Sequence, residues 1–351
     1  MRSSLARTTP PPTKAPTDLE ALTWLKATLP EDIYERVVTL ITRSHRLIDA
    51  QLHDPAPPLA IAAPTVRAGG KRVRMILTTL SGIAGGQDDE TIAAMAAAAE
   101  LVHAATLIHD DVIDQGERRR GQPTANVLFG NKRAVLGGDA LLVQALRLLA
   151  DSGHLQATRS LLRVIEGMVE GEYLQIKRQH KLPVDVEAAL QVNHLKTGLL
   201  FGWCASAPMA VAQDSDTAQH AGCFGLAIGE AFQLVDDLLD IVGTDNRLGK
   251  ATFQDLREGK ITVPMAWLLE DHPEFNPIVA RCWRAEAQGG ADDEVIDRLC
   301  KAAKASDLET RVRADVAERI ERANTELAHL PNDAICAALE TLTTTLVERL
   351  R

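Results

Sequence analysis

The stretch LIHDDVID, Leu107–Asp114, decides the fold, because it places three carboxylates inside an apolar helical run. Asp110 and Asp114 are four residues apart and so share one face of a helix, which Glu117 would extend by another turn. Asp111 stands beside them. Like charges at this spacing repel, and apolar flanks oppose a solvated face. The pattern therefore predicts a cation that compensates these aspartates.

A second acidic box, FQLVDDLLDIV, carries Asp236, Asp237 and Asp240 within another apolar helical run. Two acidic boxes on two apolar helices predict two walls of one cleft, with metal ions between them. Hard oxygen ligands suit Mg²⁺ that carries a phosphate group. No Walker loop, Rossmann glycine pattern or Ser-His-Asp order occurs in the sequence. Carboxylates and cations without a nucleophile indicate metal-assisted departure of a leaving group.

Composition is that of an ordinary soluble globular protein, since 46% of the 351 residues are hydrophobic and 25% are charged. Ala and Leu recur at helical spacing almost throughout, whereas strand-like alternation is scarce. We therefore expect an all-α fold, a single-domain bundle of about ten or more helices around a central cleft, over residues 17–351. The net charge of −10 disfavours nucleic acid and anionic membrane surfaces as general partners.

The cysteines and the N-terminal residues bear on the compartment. Five scattered cysteines without CxxC spacing indicate a reduced, cytoplasmic setting, with neither a structural zinc site nor a disulfide framework. No window predicts a transmembrane segment, because Glu100 and His103 interrupt the apolar run Ile92–Ile108. Residues 1–16 carry Arg, Ser, Thr and Pro but no acid, which fits a disordered tail or an organellar transit peptide. The prolines favour the tail.

A basic turn, RAGGKRVRMIL, precedes another helix. Gly69 and Gly70 form a flexible turn, and Lys71, Arg72 and Arg74 follow at the helix start. Cations there oppose the helix dipole, so a bound anion would explain them. A surface basic turn is an equally good interpretation of these residues alone.

Glycine and proline positions and hydrophobic spacing assign the other segments. The segment His53–Pro64, rich in Pro and Ala, is predicted to be a connector. Gly85–Gly86 should end the helix after the basic turn, and a long helix should run from about Asp88 through the first box. Asp271–Arg351 has the pattern of three or four amphipathic helices.

Five segments together carry a family resemblance: GGKRVR, DDVIDQGERRRGQPT, KT at 196–197, FQLVDDLLD and GK…DLREGKITVP. In order and spacing they resemble the trans-isoprenyl diphosphate synthases, from about residue 20 to the end of the chain. The text HAATLIHDDVID and the chain's tail are most similar to long-chain synthases of the octaprenyl type. The resemblance implies an isoprenoid synthase fold and a homodimer. It also implies head-to-tail condensation of isopentenyl diphosphate with an allylic diphosphate, with three Mg²⁺ ions when substrate is bound.

The resemblance further implies roles for individual residues. Mg²⁺ would bind Asp110, Asp114 and Asp236, with Asp111, Asp237 and Asp240 in support. The allylic diphosphate would be gripped by Arg119, Lys196, Thr197, Gln233, Lys250 and Lys260. Isopentenyl diphosphate would sit on Lys71, Arg74, His103 and Arg120. Ionisation would give an allylic cation, which the isopentenyl double bond attacks before a proton passes to the released pyrophosphate.

Product length is addressed by the residues one turn before the first box. Ala105 and Thr106 are both small, so no aromatic plug stands there and a medium-to-long product is expected. Two departures from the family pattern stand elsewhere. Met75 replaces a proline, which could loosen the helix start, and Phe253–Gln254 replaces Gly-Asp, which leaves the conformation of that loop open.

Three rivals remain beside a long-chain synthase. A geranylgeranyl or shorter-chain synthase shares the motifs. A class I terpene cyclase shares one aspartate box, but only 3% of this chain is aromatic and it has a second Asp box. A non-catalytic synthase subunit is disfavoured because such subunits typically lose aspartates that are intact here.

Overall fold

The computed structural model describes residues 22–53, 56–212, 215–242, 253–287 and 293–347. The predicted tail at 1–16 and the predicted diphosphate ligand Lys250 lie outside these residues. Almost every described element is a helix, which confirms the all-α prediction. The exception is one short hairpin, in which β1 (Arg118–Arg119) pairs antiparallel with β2 (Gln122–Pro123).

The first half of the chain contains α1 to α7 and the hairpin. Their bounds are α1 Thr23–Thr28, α2 Glu31–Gln51, α3 Pro57–Arg67, α4 Val73–Ala84, α5 Asp89–Ile113, β1 Arg118–Arg119, β2 Gln122–Pro123, α6 Ala125–Phe129 and α7 Asn131–Asp151. The predicted helix end at Gly85–Gly86 is confirmed, since Gly85 caps α4 and Gly86 has a positive φ of 72°.

The second half continues with α8 to α17 and two short irregular helices. Their bounds are α8 Leu155–Arg178, α9 Val186–Asn193, a π-helix His194–Gly198, α10 Leu199–Ala212, α11 Ser215–Val242, α12 Gln254–Arg257, α13 Val263–Asp271, a 3₁₀ helix Pro273–Phe275, α14 Asn276–Ala287, α15 Asp293–Ala305, α16 Leu308–Leu327 and α17 Asp333–Val347. The last four helices match the number predicted after Asp271.

The prediction of a connector over His53–Pro64 was wrong. Helix α3 runs through Pro57–Arg67, with prolines in its first turn and Pro64 inside it. Proline is tolerated at the first helical position because its fixed φ suits the helix and its missing N–H would have no helical partner there. Leu59 and Val66 are buried, so packing against α5 and α7 stabilises a segment whose composition suggested a loop.

Helix α5 is the central element of the bundle and carries the first acidic box at its C-terminal end. The Asp88 carboxylate caps its start by accepting hydrogen bonds from the N–H groups of Glu90 and Thr91. Its alanines at 93–94 and 96–99 are buried, and the small side chains let α2, α4 and α7 pack closely. Among the described residues, α5 alone is long and apolar enough to cross a membrane, and 83% of its most apolar window is buried inside the protein.

Helices α10 and α11 cross at closely spaced glycines. A Cβ on Gly225 would overlap the carbonyl oxygen of Phe201 and lie 2.9 Å from the Ala205 Cβ. Neither neighbour is a flexible side-chain end, so the two helix backbones would have to separate. This close crossing fixes α11, and with it the second acidic box, against the π-helix and α10.

Replacement of this glycine should therefore destabilise the protein. Gly225→Ala is expected to lower the free energy of unfolding by about 2 kcal/mol through overpacking. The matched control is Gly222→Ala on the same helix, where the new Cβ would lie 3.3 Å from the Ser206 Cβ and should change stability by about 0.5 kcal/mol or less. Urea denaturation of both variants measures the difference, and equal effects would contradict the close crossing.

Candidate active site

A large cleft of about 1520 Å³ lies between the C-terminal halves of α5 and α11. Helix α8, the π-helix, the basic turn at 69–74 and the segment around Asp255–Lys260 complete its walls. Among the described residues predicted to bind metal or diphosphate, each of these lines it: Lys71, Arg74, His103, Asp110, Asp111, Asp114, Arg119, Arg120, Lys196, Thr197, Gln233, Asp236, Asp237, Asp240 and Lys260. Sequence segments far apart in the chain therefore meet in one cavity.

The first acidic box occupies the end of α5 rather than its middle. The helix ends at Ile113, Asp114 is its C-cap, and Gln115 has a positive φ of 55°. The chain therefore turns before Glu117, and the prediction that Glu117 extends the helical face was wrong. Glu117 still lines the cleft, but it does so from the segment that leads into β1.

Asp111 is held by the hairpin that follows the box. The Arg119 guanidinium donates hydrogen bonds to both Asp111 carboxylate oxygens, from Nε at 3.1 Å and from Nη2 to Oδ1 at 2.8 Å. The fork geometry of arginine suits this two-oxygen contact. Asp111 is buried, so the pair ties the hairpin to α5 and sets the position of Arg119 in the cleft.

The second acidic box is linked to the π-helix by a chain of hydrogen bonds. The Thr197 hydroxyl donates to the Gln233 carbonyl oxygen at 2.8 Å, and the Gln233 amide donates to Asp237 Oδ1 at 2.8 Å. Asp240 lies one turn further along α11 and accepts from the backbone N–H groups of Gln254 and Asp255. The box is therefore oriented from both sides of α11.

Asp255 is a site residue that the sequence reasoning did not single out. It lines the cleft beside Asp240, and burial, followed by the Glu258 carboxylate, raises its pKa despite the opposing Lys260 cation. Its sequence signal was the DLREGK motif, which was used only for the family resemblance. Phe253 begins this segment with a positive φ of 57°, and its N–H donates to the Asp240 carbonyl at 2.8 Å.

Lys260 links the first acidic box to the segment around Asp255. Its Nζ lies 2.6 Å from Asp114 Oδ2 and 2.8 Å from Glu258 Oε2. Burial opposes the lysine charge, but the carboxylates of Asp255 and Asp114 outweigh it and raise the pKa of Lys260. Lys260 is therefore a permanent cation between the walls of the cleft.

Lys196 reaches the cleft from the π-helix. Its Nζ contacts the Glu172 carboxylate and donates to Gln175 Oε1 at 2.7 Å, and both partners lie on α8. A lone lysine in a helix is more often a snorkelling surface residue, but the structure places Lys196 in the cleft. Its partners Glu172 and Gln175 were not predicted, because no local pattern relates them to residue 196.

The basic turn faces the opposite side of the same cavity. The Arg74 guanidinium stacks over the Phe201 ring at 4.6 Å, and its buried Nε makes no hydrogen bond. A Cβ on Gly70, whose φ is +150°, would lie 2.8 Å from Arg120 Nη2, so the glycine allows Arg120 to approach. Enclosure, followed by the Arg74, Arg120 and Arg119 charges, lowers the pKa of His103 well below its usual range. The ring is therefore neutral at pH 7.

The two small residues that were expected to leave room for a long product, Ala105 and Thr106, point in different directions. Thr106 lines the cleft, and its hydroxyl donates to the His103 carbonyl at 2.9 Å. Ala105 is fully buried in the helical core and is not among the cleft-lining residues. The helical rotation between neighbouring residues separates the pair, so Thr106 is the member that a growing product could meet.

The departure at Met75 has a structural counterpart. The chain enters α4 through Arg72 in the left-handed region, with φ at 49°, and the Met75 N–H donates to Glu100 Oε1 at 3.2 Å. A proline could not make this hydrogen bond. The same Glu100 carboxylate binds Arg72 at 3.1 Å, so the start of α4 is fastened to α5.

Electrostatics of the carboxylates fit a divalent cation. Burial, followed by the Glu172 charge, raises the pKa of Asp110 to about 6 despite the opposing Lys196 cation, and burial with the Asp255 charge raises that of Asp240 to about 7. Asp114 Oδ1 is buried without a hydrogen-bond partner. A hard cation would relieve this repulsion and use such oxygens. Within the described ranges, no three acidic, histidine or cysteine side chains already stand in position to hold a metal ion.

Comparison with known proteins agrees with the geometry. The family described as polyprenyl synthetase matches residues 59–301. The chain belongs to the polyprenyl synthetase family. It is similar to an all-trans-nonaprenyl-diphosphate synthase of Rhodobacter capsulatus, which is 32% identical over 84% of this chain and 89% of that protein. A probable mitochondrial hexaprenyl pyrophosphate synthase of Neurospora crassa is 40% identical over 56% of this chain and 46% of that protein.

A solved structure has the same fold. The polyprenyl synthase from Caulobacter crescentus, in complex with calcium and isoprenyl diphosphate, is 30% identical and superposes with a TM-score of 0.81 over 97% of this chain and all of that chain. Family membership makes the chain a prenyltransferase. It also confirms the sequence-based assignment to the polyprenyl synthases and the expectation of a divalent metal.

The shifted carboxylates give the protein a testable pH dependence. An acid whose pKa is raised on folding holds its proton more tightly in the folded state, so stability falls as pH rises from about 4 towards 7. Asp240→Asn removes the charge that Asp255 repels. Without divalent metal, the free energy of unfolding of the wild type should fall between pH 5.5 and pH 8. That of Asp240→Asn should fall by about 1 kcal/mol less.

Urea denaturation in EDTA at the two pH values measures this difference. Asp297→Asn, on the exposed face of α15, serves as the control and should show none. An Asp240→Asn effect that is identical at pH 5.5 and pH 8 would contradict the proposed charge repulsion.

Proposed function

We propose that this prenyltransferase condenses isopentenyl diphosphate repeatedly with an allylic diphosphate and releases a long all-trans polyprenyl diphosphate. One observation carries the proposal: two acidic boxes face each other across a cleft that also holds two separate groups of cations. Lys260, which contacts Asp114 of the first box and Glu258 of the segment after the second, lies in that cleft. Two cationic groups suit two diphosphate substrates.

The allylic diphosphate is assigned to the wall that carries the π-helix. Lys196, Lys260 and Arg119 supply positive charge there, Thr197 and Gln233 supply hydrogen bonds, and Lys250 belongs to this set by the family resemblance. In the described structure these cations are paired with Glu172, Asp114 and Asp111. A diphosphate oxygen would replace or share those partners, so the side chains are already oriented before substrate arrives.

Divalent cations are assigned to the carboxylates between the walls. Asp110, Asp114 and Asp236 would hold Mg²⁺, supported by Asp111, Asp237 and Asp240, and the bound substrate would complete the sites of three ions. Mg²⁺ would supply neutralisation of the charge that develops on the departing diphosphate. The unpartnered Asp114 Oδ1 and the raised pKa values of Asp110 and Asp240 support this assignment.

Isopentenyl diphosphate is assigned to the basic turn. Arg74 has an unused buried Nε, Arg120 approaches across Gly70, and Lys71 lies in the same turn. His103 is neutral and so adds a hydrogen-bonding ring without adding charge. Arg119 and Arg120 are neighbours in the hairpin, which would hold the two substrates close enough for the double bond of one to attack the allylic carbon of the other.

The product is proposed to grow along the apolar part of the cleft. Thr106, Leu142, Ile165 and Met168 line this part, and no aromatic residue stands one turn before the first box. The related nonaprenyl and hexaprenyl synthases support a long chain. A geranylgeranyl synthase is the second candidate, because the solved geranylgeranyl pyrophosphate synthetases of Geoglobus acetivorans and Pyrococcus horikoshii have the same fold.

The activity is tested by incubating the protein with isopentenyl diphosphate, Mg²⁺ and each allylic starter in turn. Chromatography of the dephosphorylated products should show one long polyprenol. Geranylgeraniol alone would refute the long-chain assignment, and a cyclic hydrocarbon would refute head-to-tail condensation.

Removal of either box should stop turnover without unfolding the protein. Asp110→Ala and Asp236→Ala are each expected to lower kcat by about 100- to 1000-fold, because charge stabilisation of the leaving group is lost. Circular dichroism should remain helical. Asp297→Ala removes an exposed acid and should keep wild-type turnover. Near-normal rates in either box variant would contradict the assigned roles.

We also propose that the enzyme is a homodimer formed through α7 and α8. Leu155, Leu162, Val169 and Ile176 recur every seven residues along α8 and are all exposed, with 64% of Val169 accessible. Exposed Leu136 and Val143 extend the face onto α7. A large apolar face of two adjacent helices is unusual on a monomer, and a second copy would cover it by packing helix against helix.

The dimer can be tested by placing charge on this face. Leu162→Asp with Val169→Asp should convert the protein into a monomer of 38.0 kDa, because buried carboxylates would face each other across the interface. Thr325→Asp, on the exposed surface of α16, is the control and should leave the dimer intact. Sedimentation velocity distinguishes the species, and a wild-type monomer would refute the proposal.

A cytoplasmic location is proposed from the cysteines. All five are free thiols, and Cys204 and Cys282 are buried in the core. Unpaired buried cysteines suit a reducing compartment.

A further inference from the structure

The π-helix that carries Lys196 and Thr197 contacts one carboxylate of α11, which lies outside the substrate cleft. We propose that Glu230 is a positioning residue, which fixes the register of the π-helix so that Lys196 and Thr197 meet the allylic diphosphate. The inference rests on the proposed function of those two residues. Glu230 itself lines a separate cavity of about 390 Å³ and not the substrate cleft, so it acts only through other residues.

The last residue of α9 and the first residue of the π-helix both contact Glu230. The Asn193 amide donates to the Glu230 backbone carbonyl at 3.1 Å, and His194 Nδ1 lies 2.8 Å from Glu230 Oε1. A π-turn inserts a residue into the helical ladder and is less favourable than the α-helix on either side. Contacts from another element must therefore select it, and these two hydrogen bonds are placed where the irregular turn begins.

Glu230 is held rigidly on its other side. Its Oε2 accepts from the Arg319 guanidinium of α16, and Arg319 Nε lies 2.5 Å from Asp315 Oδ1. The Glu230 side chain is only 12% exposed. A Cβ on Gly198 would lie 3.1 Å from Glu230 Cγ, so the π-helix backbone rests directly on this side chain. Three elements are thereby joined at one carboxylate.

Displacement at Glu230 would be transmitted to the cleft. Thr197 is bonded to Gln233, which lies three residues after Glu230 on the same face of α11. If the π-helix relaxed to a regular α-helix, every later side chain would rotate relative to α11. Lys196 would leave Gln175, and Thr197 would leave Gln233. Loss of Glu230 should thus weaken the grip on the allylic substrate specifically.

The first test compares steady-state constants for the two substrates. Glu230→Ala should raise the KM for the allylic diphosphate about 10- to 100-fold, because sub-ångström misplacement of binding groups is costly. The KM for isopentenyl diphosphate should stay near wild type. Glu230→Gln should recover part of the loss, since its amide oxygen can still accept one hydrogen bond. A merely structural role would lower kcat by reducing the active fraction and leave both KM values unchanged.

A matched control comes from the same helix pair. Glu326 of α16 contacts His220 Nδ1 of α11 at 2.6 Å and lines the same small cavity, but its hydrogen bonds do not reach the π-helix. Glu326→Ala should keep the wild-type KM for both substrates. If Glu230→Ala and Glu326→Ala behave alike, the positioning role is refuted.

A double-mutant cycle with Thr197→Val completes the experiment. If Glu230 acts through the π-helix, the fold-loss in kcat/KM that Glu230→Ala causes should be smaller in the Thr197→Val background than in the wild type, because coupled residues are not additive. Full additivity would overturn the proposal. A wild-type protein that forms no prenyl product would instead refute the proposed function, so the two failures are distinguishable.

Discussion

Repulsion among carboxylates at the ends of α5 and α11 is the constraint on which the rest of the structure depends. Aspartates in a low-dielectric cleft are tolerated only when each is paired with a cation or a hydrogen-bond donor. Arg119 forms an ion pair with Asp111, Lys260 forms one with Asp114, and Gln233 donates a hydrogen bond to Asp237. Arg119 belongs to the hairpin and Lys260 to the DLREGK segment, and Gln233 joins Asp237 to Thr197 of the π-helix. The hairpin, the DLREGK segment and the π-helix are arranged around the acids.

These partners also leave the acids only partly satisfied. Asp114 keeps one buried oxygen without a hydrogen bond, and Asp240 shares a small volume with Asp255. Complete neutralisation by protein side chains would leave nothing for substrate and metal to bind. A site with residual negative charge on one side and an unused arginine Nε on the other is adapted to receive a cation and an anion together.

Local sequence patterns predicted the elements of this site better than their connections. Helical spacing placed Asp110, Asp114 and the second box on two apolar helices, and paired glycines marked the end of α4. The end of α5 at Ile113 was not predicted, because the acidic face continues in sequence past the turn at Gln115. Helix α3 was missed because proline and alanine composition outweighed the burial of Leu59 and Val66, which only the tertiary structure reveals.

Local sequence patterns could not predict which side chains from distant segments contact each other. The sequence around Lys196 does not indicate which α8 residues it contacts. Asp255 has a raised pKa because the fold buries it and brings other charges near it. The family resemblance supplied the roles of Lys71, Arg74 and His103. The sequence around Lys71 and Arg74 alone allowed a surface turn. Spatial partners depend on which helices become neighbours, and that information is spread over the whole chain rather than held in any window.

The π-helix at His194–Gly198 carries a consequence for how such a chain can evolve. It contains one residue more than a regular helical turn would use. Loss of a single codon in this segment would therefore restore an unbroken helix from α9 to α10 and preserve the apolar core on either side. The protein would still fold, yet its substrate-binding face would be turned away. A deletion of one codon would thus abolish catalysis in this fold without unfolding the protein.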